Sequence, residues 1–236
     1  MRKIITLLVL LSSIIFANEY YAKLNPLNTY IVKSAVSGQV VFVNDNIESK
    51  KAADSKIVVL DAKIDLEDLK QSKIKLKNLK EILKIEQGTL KSFKRVSSKS
   101  KFDKDNQKIK ILNISSNISD LETKIAQLKD SISKKTLLET DNYIYDIAVE
   151  VGDYVTPGTE LYSSMDLSAG KLEIFIPIDK ADTIKQKVIY LDGKKTDLKI
   201  SKLYKIADST HISSYKCEII IPSPKQFSSL IKIEFK

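Results

Sequence analysis

Leucine recurs every seven residues at Leu69, Leu76, Leu83 and Leu90. A second apolar series, Ile111, Ile114, Ile118, Leu121, Ile125, Leu128 and Ile132, advances by alternating threes and fours. Both are a/d seams of a coiled coil, where a 3.5-residue repeat keeps one stripe of each helix turned to a partner. Leu66, Leu79 and Phe93 thicken the first stripe, and residues 62–138 contain no proline and one glycine. The break between the series is Ser97-Ser98-Lys99-Ser100, which is poor in helix formers. The two series mirror each other about residues 100 and 101, so a chain folding back there brings Leu69 level with Ile132, Leu76 with Ile125, Leu83 with Ile118 and Leu90 with Ile111. The expected structure is an antiparallel helical hairpin with arms of ~33 residues, a rod of ~50 Å at 1.5 Å per residue. The alternative is a pair of amphipathic helices packed on a globular core. The narrow seams and nearly continuous lysine-rich polar faces favour the free-standing rod.

Charge follows the same division. The 236-residue chain carries 39 basic and 30 acidic residues, a formal +9. Residues 63–135 hold 19 basic and 10 acidic residues, which is the whole excess. Around the break, residues 91–110 hold eight basic and two acidic residues. That density is either the solvated face of a soluble coiled coil or an electrostatic docking tip for an acidic partner.

Composition excludes much chemistry. A single cysteine, Cys217, rules out a disulfide framework and a thiolate metal cluster. A single histidine, His211, rules out a multi-histidine site. Gly193-Lys194-Lys195-Thr196 lacks the glycine and spacing of a phosphate loop. His211 follows Asp208-Ser209-Thr210 and reads as a loop residue; Cys217 alternates with charged residues and reads as a buried strand residue. Glu67-Asp68 reads as a pair of solvated charges on the rod. No catalytic residue, cofactor site or metal ligand emerges, so the chain reads as non-enzymatic.

Residues 1–17 read as a secretory signal. Arg2 and Lys3 precede an apolar run from Ile4 to Phe16, and Ala17 supplies a small residue for cleavage. The alternative is a membrane anchor, but a spanning helix needs ~20 apolar residues and Asn18-Glu19 intervenes. Export counts against nucleic acid as the partner of the basic charge. On either side of the helical stretch the chain is rich in short β-branched runs: Tyr30-Ile31-Val32, Val40-Val41-Phe42-Val43 and Ile57-Val58-Val59-Leu60 before it. After it, residues 140–167 are punctuated by Gly152, Pro157 and Gly158. Further on, Leu172, Ile174, Ile176 and Ile178 alternate with period two, Asp192-Gly193 marks a hairpin turn, and Ile231, Ile233 and Phe235 form a last strand. The β segments flanking the rod share an outline, and a hairpin that returns to its origin lets them pair without an entropically costly loop.

The motif Gly152-Asp153-Tyr154-Val155-Thr156-Pro157-Gly158 resembles the second half of a lipoyl-like domain, and Ser37-Gly38-Gln39-Val40 is similar to the first. A coiled-coil hairpin between two such halves, followed by a β segment, resembles the periplasmic adaptors, or HlyD-like membrane fusion proteins, of tripartite efflux pumps. Gly152 and Gly158 suit turns needing positive φ, Pro157 presets a turn position, and Val151, Val155 and Leu161 are expected on the buried side. The first half lacks the expected turn glycines between Asn44 and Ser55, and Asn44, Asp45 or Asn46 can take the left-handed position instead. A lipoyl-type carrier lysine is not expected, because the turn that would present it is where the long insert begins at Lys63.

The resemblance implies an α+β, elongated multi-domain chain. The expected divisions are a signal at 1–17, an N-terminal strand and first lipoyl-like half at 18–60, an antiparallel coiled-coil hairpin at 61–138 with its tip near 95–106, a second half at 139–168 and a β-barrel domain at 169–236. The barrel-like segment runs to Lys236, so a membrane-proximal domain is expected to be absent or reduced to the strand-like residues before Tyr30. The resemblance further implies a Gram-negative periplasm, an inner-membrane transporter of the resistance-nodulation-division type rather than an ABC exporter, an outer-membrane TolC-type channel, and self-association into a ring. Channel docking would fall to a tip containing Lys94, Arg95, Lys99 and Lys101. Of the family's tip pattern, Arg95 matches, while Lys99 and Asn106 stand where leucine and serine are usual. The reading from another class is an exported coiled-coil protein that binds an acidic envelope surface with no transporter.

Overall fold

The computed structural model describes residues 18–236. The proposed signal at 1–17 lies outside the described residues. The fold is α+β, and contacts divide it into two compact units, Ile31–Ser164 and a second made of the chain up to Tyr30 together with Met165–Lys236.

In the Ile31–Ser164 unit, β3 (Gly38–Val43) and β4 (Ser55–Leu60) lead into α1 (Lys63–Arg95). The chain returns through α2 (Lys101–Ser133) to β5 (Thr136–Glu139), β6 (Tyr143–Ile147) and β7 (Tyr154–Val155). The sheet order is β5-β4-β3-β7. β4 and β5 are antiparallel neighbours, with Val59 opposite Thr136 and Ser55 opposite Glu139. Both helices therefore leave and re-enter a single β turn. Gly38 pairs with Val155 and Gln39 with Tyr154, so Gly38 and Gly152 belong to one lobe. Val40, Ile57, Val58, Leu60, Ile144 and Leu161 form its buried centre.

Two expectations for this lobe fail. Asn44 has φ −100°, and Asp45–Ile47 form a 3-10 turn. The positive φ values fall instead at Ser49 (62°), Ala53 (49°) and Asp54 (57°), because the extra turn moves the reversal later in the loop. Val151 is exposed, whereas Val155 and Leu161 are buried. Val151 lies in the turn closed by Asp153 N–H donating to Glu150 O at 3.2 Å, and a turn breaks the in-out alternation that the sequence pattern assumes.

In the other unit, β1 (Asn18–Lys23) pairs antiparallel with β13 (Leu230–Phe235), Ala22 opposite Ile231. Residues 18–30 thus join the C-terminal strands rather than the Ile31–Ser164 lobe. β9 (Ile189–Leu191) and β10 (Lys194–Lys195) complete the sheet β1-β13-β9-β10. Asp192 (φ 48°) and Gly193 (φ 78°) turn between them, as a two-residue hairpin requires. The second sheet contains β11 (Ile200–Leu203), β12 (Ser214–Pro222), β8 (Glu160–Pro177) and β2 (Asn25–Lys33), in the order β11-β12-β8-β2. A short helix, α3 (Ala181–Ile184), follows β8. Hydrogen bonding gives two sheets with β10 and β11 as edges, and Leu172, Ile176, Ile189, Ile219, Ile233 and Phe235 fill the core that they share. Cys217 is fully buried there, and burial, aided by the Glu218 charge, pushes its thiol up to about 12, which keeps it protonated and unreactive.

Candidate functional site

The two helices are 33 residues each and run antiparallel. In α2, Ile114, Ile118, Leu121 and Ile125 are buried, while Ile111, Leu128 and Ile132 are half-buried. In α1, Leu69, Leu76, Leu79, Leu83, Leu90 and Phe93 are half-buried. Leu66 is 52% exposed and stands outside the stripe. Continuing the three-and-four stepping through α1 passes over Ser72 and Glu86, and through α2 over Gln107; Ser72 and Gln107 are buried. These seam positions are polar, so a search for apolar periodicity misses them, although the spacing alone locates them.

Glu86 and Gln107 form a polar layer towards the far end of the hairpin. Gln107 Nε2 donates to Glu86 O at 2.9 Å and to Glu86 Oε2 at 2.7 Å. Lys110 Nζ lies 2.5 Å from Glu86 Oε1. Lys110 and then Gln107 hold the Glu86 carboxyl below the ordinary glutamate value, against the opposing effect of burial. Farther along the arms, Lys80 pairs with Glu122 at 2.6 Å and Lys124 with Asp68 at 3.4 Å. At the root, Lys135 ion-pairs with Asp65 and donates to Asp61 O at 2.7 Å. Leu60 N–H donates to Lys135 O at 2.8 Å. Both arms are therefore fastened to the strands from which they emerge.

The tip is built by ordinary capping chemistry. Ser100 is the N-cap of α2: its Oγ accepts from Asp103 N–H at 3.1 Å, and Asp103 Oδ2 accepts from Ser100 N–H at 3.2 Å. This reciprocal box satisfies two amide donors that a helix start leaves free. The Ser100 hydroxyl, then its N–H, holds the Asp103 carboxyl below its usual range. Ser-x-x-Asp at 100–103 was legible as a helix start, a finer signal than the polar composition of the break. Lys94 and Arg95 fall in the last turn of α1, where the exposed carbonyls favour cations. Lys99 Nζ lies 4.6 Å from the centroid of the Phe93 ring, which holds it by a cation–π contact. Lys94, Arg95, Lys99 and Lys101 are all exposed, and among the described residues none of the four has an acidic partner within ion-pair distance. Val96 and Phe102 are exposed between them. The tip therefore offers an excess of positive charge around two apolar side chains, suited to an acidic surface with an apolar centre.

The glycine turns mount this hairpin rather than contribute to its tip. Gly152 N–H donates to Val40 O at 2.9 Å and Val40 N–H to Asp153 O at 2.8 Å. Asp153 Oδ2 accepts from Glu150 N–H at 2.8 Å. Gly158 N–H donates to Ser34 O, and Ser34 N–H to Thr159 O, both at 2.8 Å. Gly152 (φ 107°) and Gly158 (φ 93°) occupy left-handed positions, Gly158 directly after Pro157, the residue order favoured by a type II turn. Among the described residues, no group of three or more His, Cys, Asp or Glu side chains is placed to hold a metal ion, and no helix is long and apolar enough to cross a membrane. His211 stacks on Phe175 with ring centroids 3.4 Å apart, and its Nδ1 lies 3.1 Å from Asp208 Oδ1, a turn anchor.

No protein-family model matches the sequence, and no curated protein matches it. Solved structures do. MacA from Actinobacillus actinomycetemcomitans superposes with a TM-score of 0.72 at 15% identity, over 93% of this chain and 78% of that one. The membrane fusion protein Spr0693 from Streptococcus pneumoniae R6 gives 0.70 at 9% identity, over 92% and 98%. ZneB from Cupriavidus metallidurans gives 0.55 at 13% identity, over 93% and 97%. The chain has the fold of the membrane fusion, or periplasmic adaptor, proteins.

Proposed function

We propose that this chain is a non-catalytic periplasmic adaptor that links an inner-membrane efflux transporter to an outer-membrane channel of the TolC type. One observation carries the reading: a long two-helix hairpin with a predominantly basic tip grows out of one turn of a β lobe, in a chain with the fold of membrane fusion proteins. In this reading the hairpin is an antiparallel coiled coil inserted between two lipoyl-like halves, and the strands after it correspond to the adaptor β-barrel. Residues 1–17 direct export to the periplasm. Copies of the chain pack side by side into a ring, with Lys94, Arg95, Lys99 and Lys101 facing the channel entrance. The role is positional: no bond is made or broken, and the adaptor holds the two membrane components in line. The transporter is read as a resistance-nodulation-division pump on the sequence resemblance alone.

Co-purification of the tagged protein from membranes, with a photo-crosslinker at position 95, tests the reading. An outer-membrane channel at position 95 and an inner-membrane transporter in the eluate are the expected products, and the transporter recovered decides between the two pump classes. Recovery of only lipopolysaccharide or cell wall at position 95 supports instead an envelope-binding protein that works without a transporter. Reversing Lys94, Arg95, Lys99 and Lys101 to glutamate is expected to raise drug susceptibility several-fold, to the level of a deletion strain, at unchanged protein level and melting temperature. Unchanged susceptibility removes the tip from the docking site.

A further inference from the structure

An open cleft of about 840 Å³ lies in the C-terminal strand unit, outside everything assigned to channel docking. It sits where the segment from β10 to β11 passes between the edges of the two sheets. Its apolar wall comes from Val188, Leu198, Ile200 and Leu203; the last three also pack against the core, so this wall is held in place. Its rim carries Lys185, Lys187, Lys195, Lys199 and Lys205 against one acid, Asp197. Lys185 pairs with Asp182 at 3.1 Å. The other four rim lysines have no acidic group within ion-pair distance among the described residues. A second cleft, of about 400 Å³, shares Lys185, Leu203 and Lys205 and extends the same surface towards Tyr204 and Tyr215.

We propose that this cleft binds an anionic amphiphile, a molecule with a carboxylate or phosphate head and an aliphatic tail. The head would sit among Lys187, Lys195, Lys199 and Lys205, and the tail would lie along Val188, Leu198, Ile200 and Leu203. The volume falls within the range of small-molecule sites, roughly 300–1,000 Å³. An acidic peptide added as an extra strand is the competing occupant, and the sheet edges argue against it. β10 is two residues long, and Thr196, directly after it, commits both its N–H and its Oγ1 to Ile189 O, at 3.0 and 2.8 Å. The pairing of β11 with β12 shifts register between Ile200 and Lys202. Short and irregular edges resist strand addition, while an aliphatic wall beneath lysines needs no backbone partner.

Calorimetric titration of the full chain with dodecyl phosphate below its micelle concentration is expected to give one-to-one binding that weakens as salt rises. Dodecyl maltoside and dodecyltrimethylammonium are expected not to bind. The Lys195→Glu/Lys199→Glu variant should bind at least tenfold more weakly at unchanged melting temperature. Val188→Asp, on the exposed side of the wall, gives a second reading that spares the core. Flotation with vesicles of phosphatidylglycerol or of phosphatidylcholine separates the two sources of such a head. Lysine-dependent binding to the former assigns a bilayer lipid, and binding only to monomeric dodecyl phosphate assigns a free amphiphile. No binding of either, binding that survives both variants, or displacement of the probe by an acidic strand-forming peptide overturns the proposal.

Discussion

Glu218, buried on β12, faces one hydroxyl and two lysines. Tyr204 donates to it at 3.0 Å, and Lys216 and Lys202 lie 3.4 and 3.6 Å away. Burial opposes its ionisation, but the Tyr204 and Lys216 hydrogen bonds and the two lysine charges outweigh that and hold its pKa below 4.5. A carboxyl whose folded value is depressed contributes stability that is present above the unfolded value and is lost as pH falls through the folded one. The unit is therefore expected to weaken on acidification below pH 4.5. Glu218→Gln should cost about 1 kcal/mol at pH 7 and make that acid loss shallower; urea unfolding at pH 7 and pH 3 measures both. Lys135, at the hairpin root, is a second position where one side chain carries much. It is 11% exposed, and truncation leaves Asp65 charged without a partner. Lys135→Ala is expected to cost about 2 kcal/mol, between an exposed and a fully buried pair, read as a lower thermal midpoint. At this scale the sequence was only partly legible. The burial of Cys217 and the turn at Asp192-Gly193 follow from local pattern, whereas the exposure of Val151 and the partners of Lys135 depend on where the backbone turns.

Among the elements, the arms of the hairpin were the most legible, because helix pairing writes its period into the sequence. The polar residues in the seam were the least legible part of them. Glu86 and Gln107 satisfy each other at one level only, so sliding one arm by a heptad would part them, setting Glu86 by Ile114 and Gln107 by Phe93 in one direction, or Gln107 by Leu79 in the other. A polar pair at seam positions fixes register at a cost in stability. Glu86→Leu with Gln107→Leu is accordingly expected to stabilise the hairpin by about 1 kcal/mol while admitting shifted registers. Single cysteines at positions 80 and 122, whose side chains meet across the arms, should then crosslink less completely; unchanged crosslinking yield assigns register to the apolar residues alone. The strands were visible as runs of β-branched residues, but their partners were not. The pairing of β1 with β13 joins the two ends of the described chain, and no local pattern encodes a contact so distant in sequence.

For the whole molecule, what matters is that the hairpin interrupts a turn rather than a strand. β4 and β5 stay paired beneath it, and the Ile31–Ser164 core draws on residues outside the helices. Replacing residues 62–134 with a four-residue turn is therefore expected to leave a folded protein with native strand content by circular dichroism. On the adaptor reading, the same variant should support no efflux, since the reach towards a channel is gone. A molten or insoluble product shows that the helices are needed to close the lobe. The two heptad series anticipated a pair of helices at this point in the chain; the cleft beside β10 had no such signal, because its lysines and aliphatic wall come together only once two sheet edges approach. An insert rooted in this way behaves like an adjustable strut. Adding or removing one heptad from each arm keeps the same helix faces turned together and every bond at the base, and changes the span by ~10.5 Å per step, so on the adaptor reading such a chain can be matched to envelopes of different depth without redesign of its foundation.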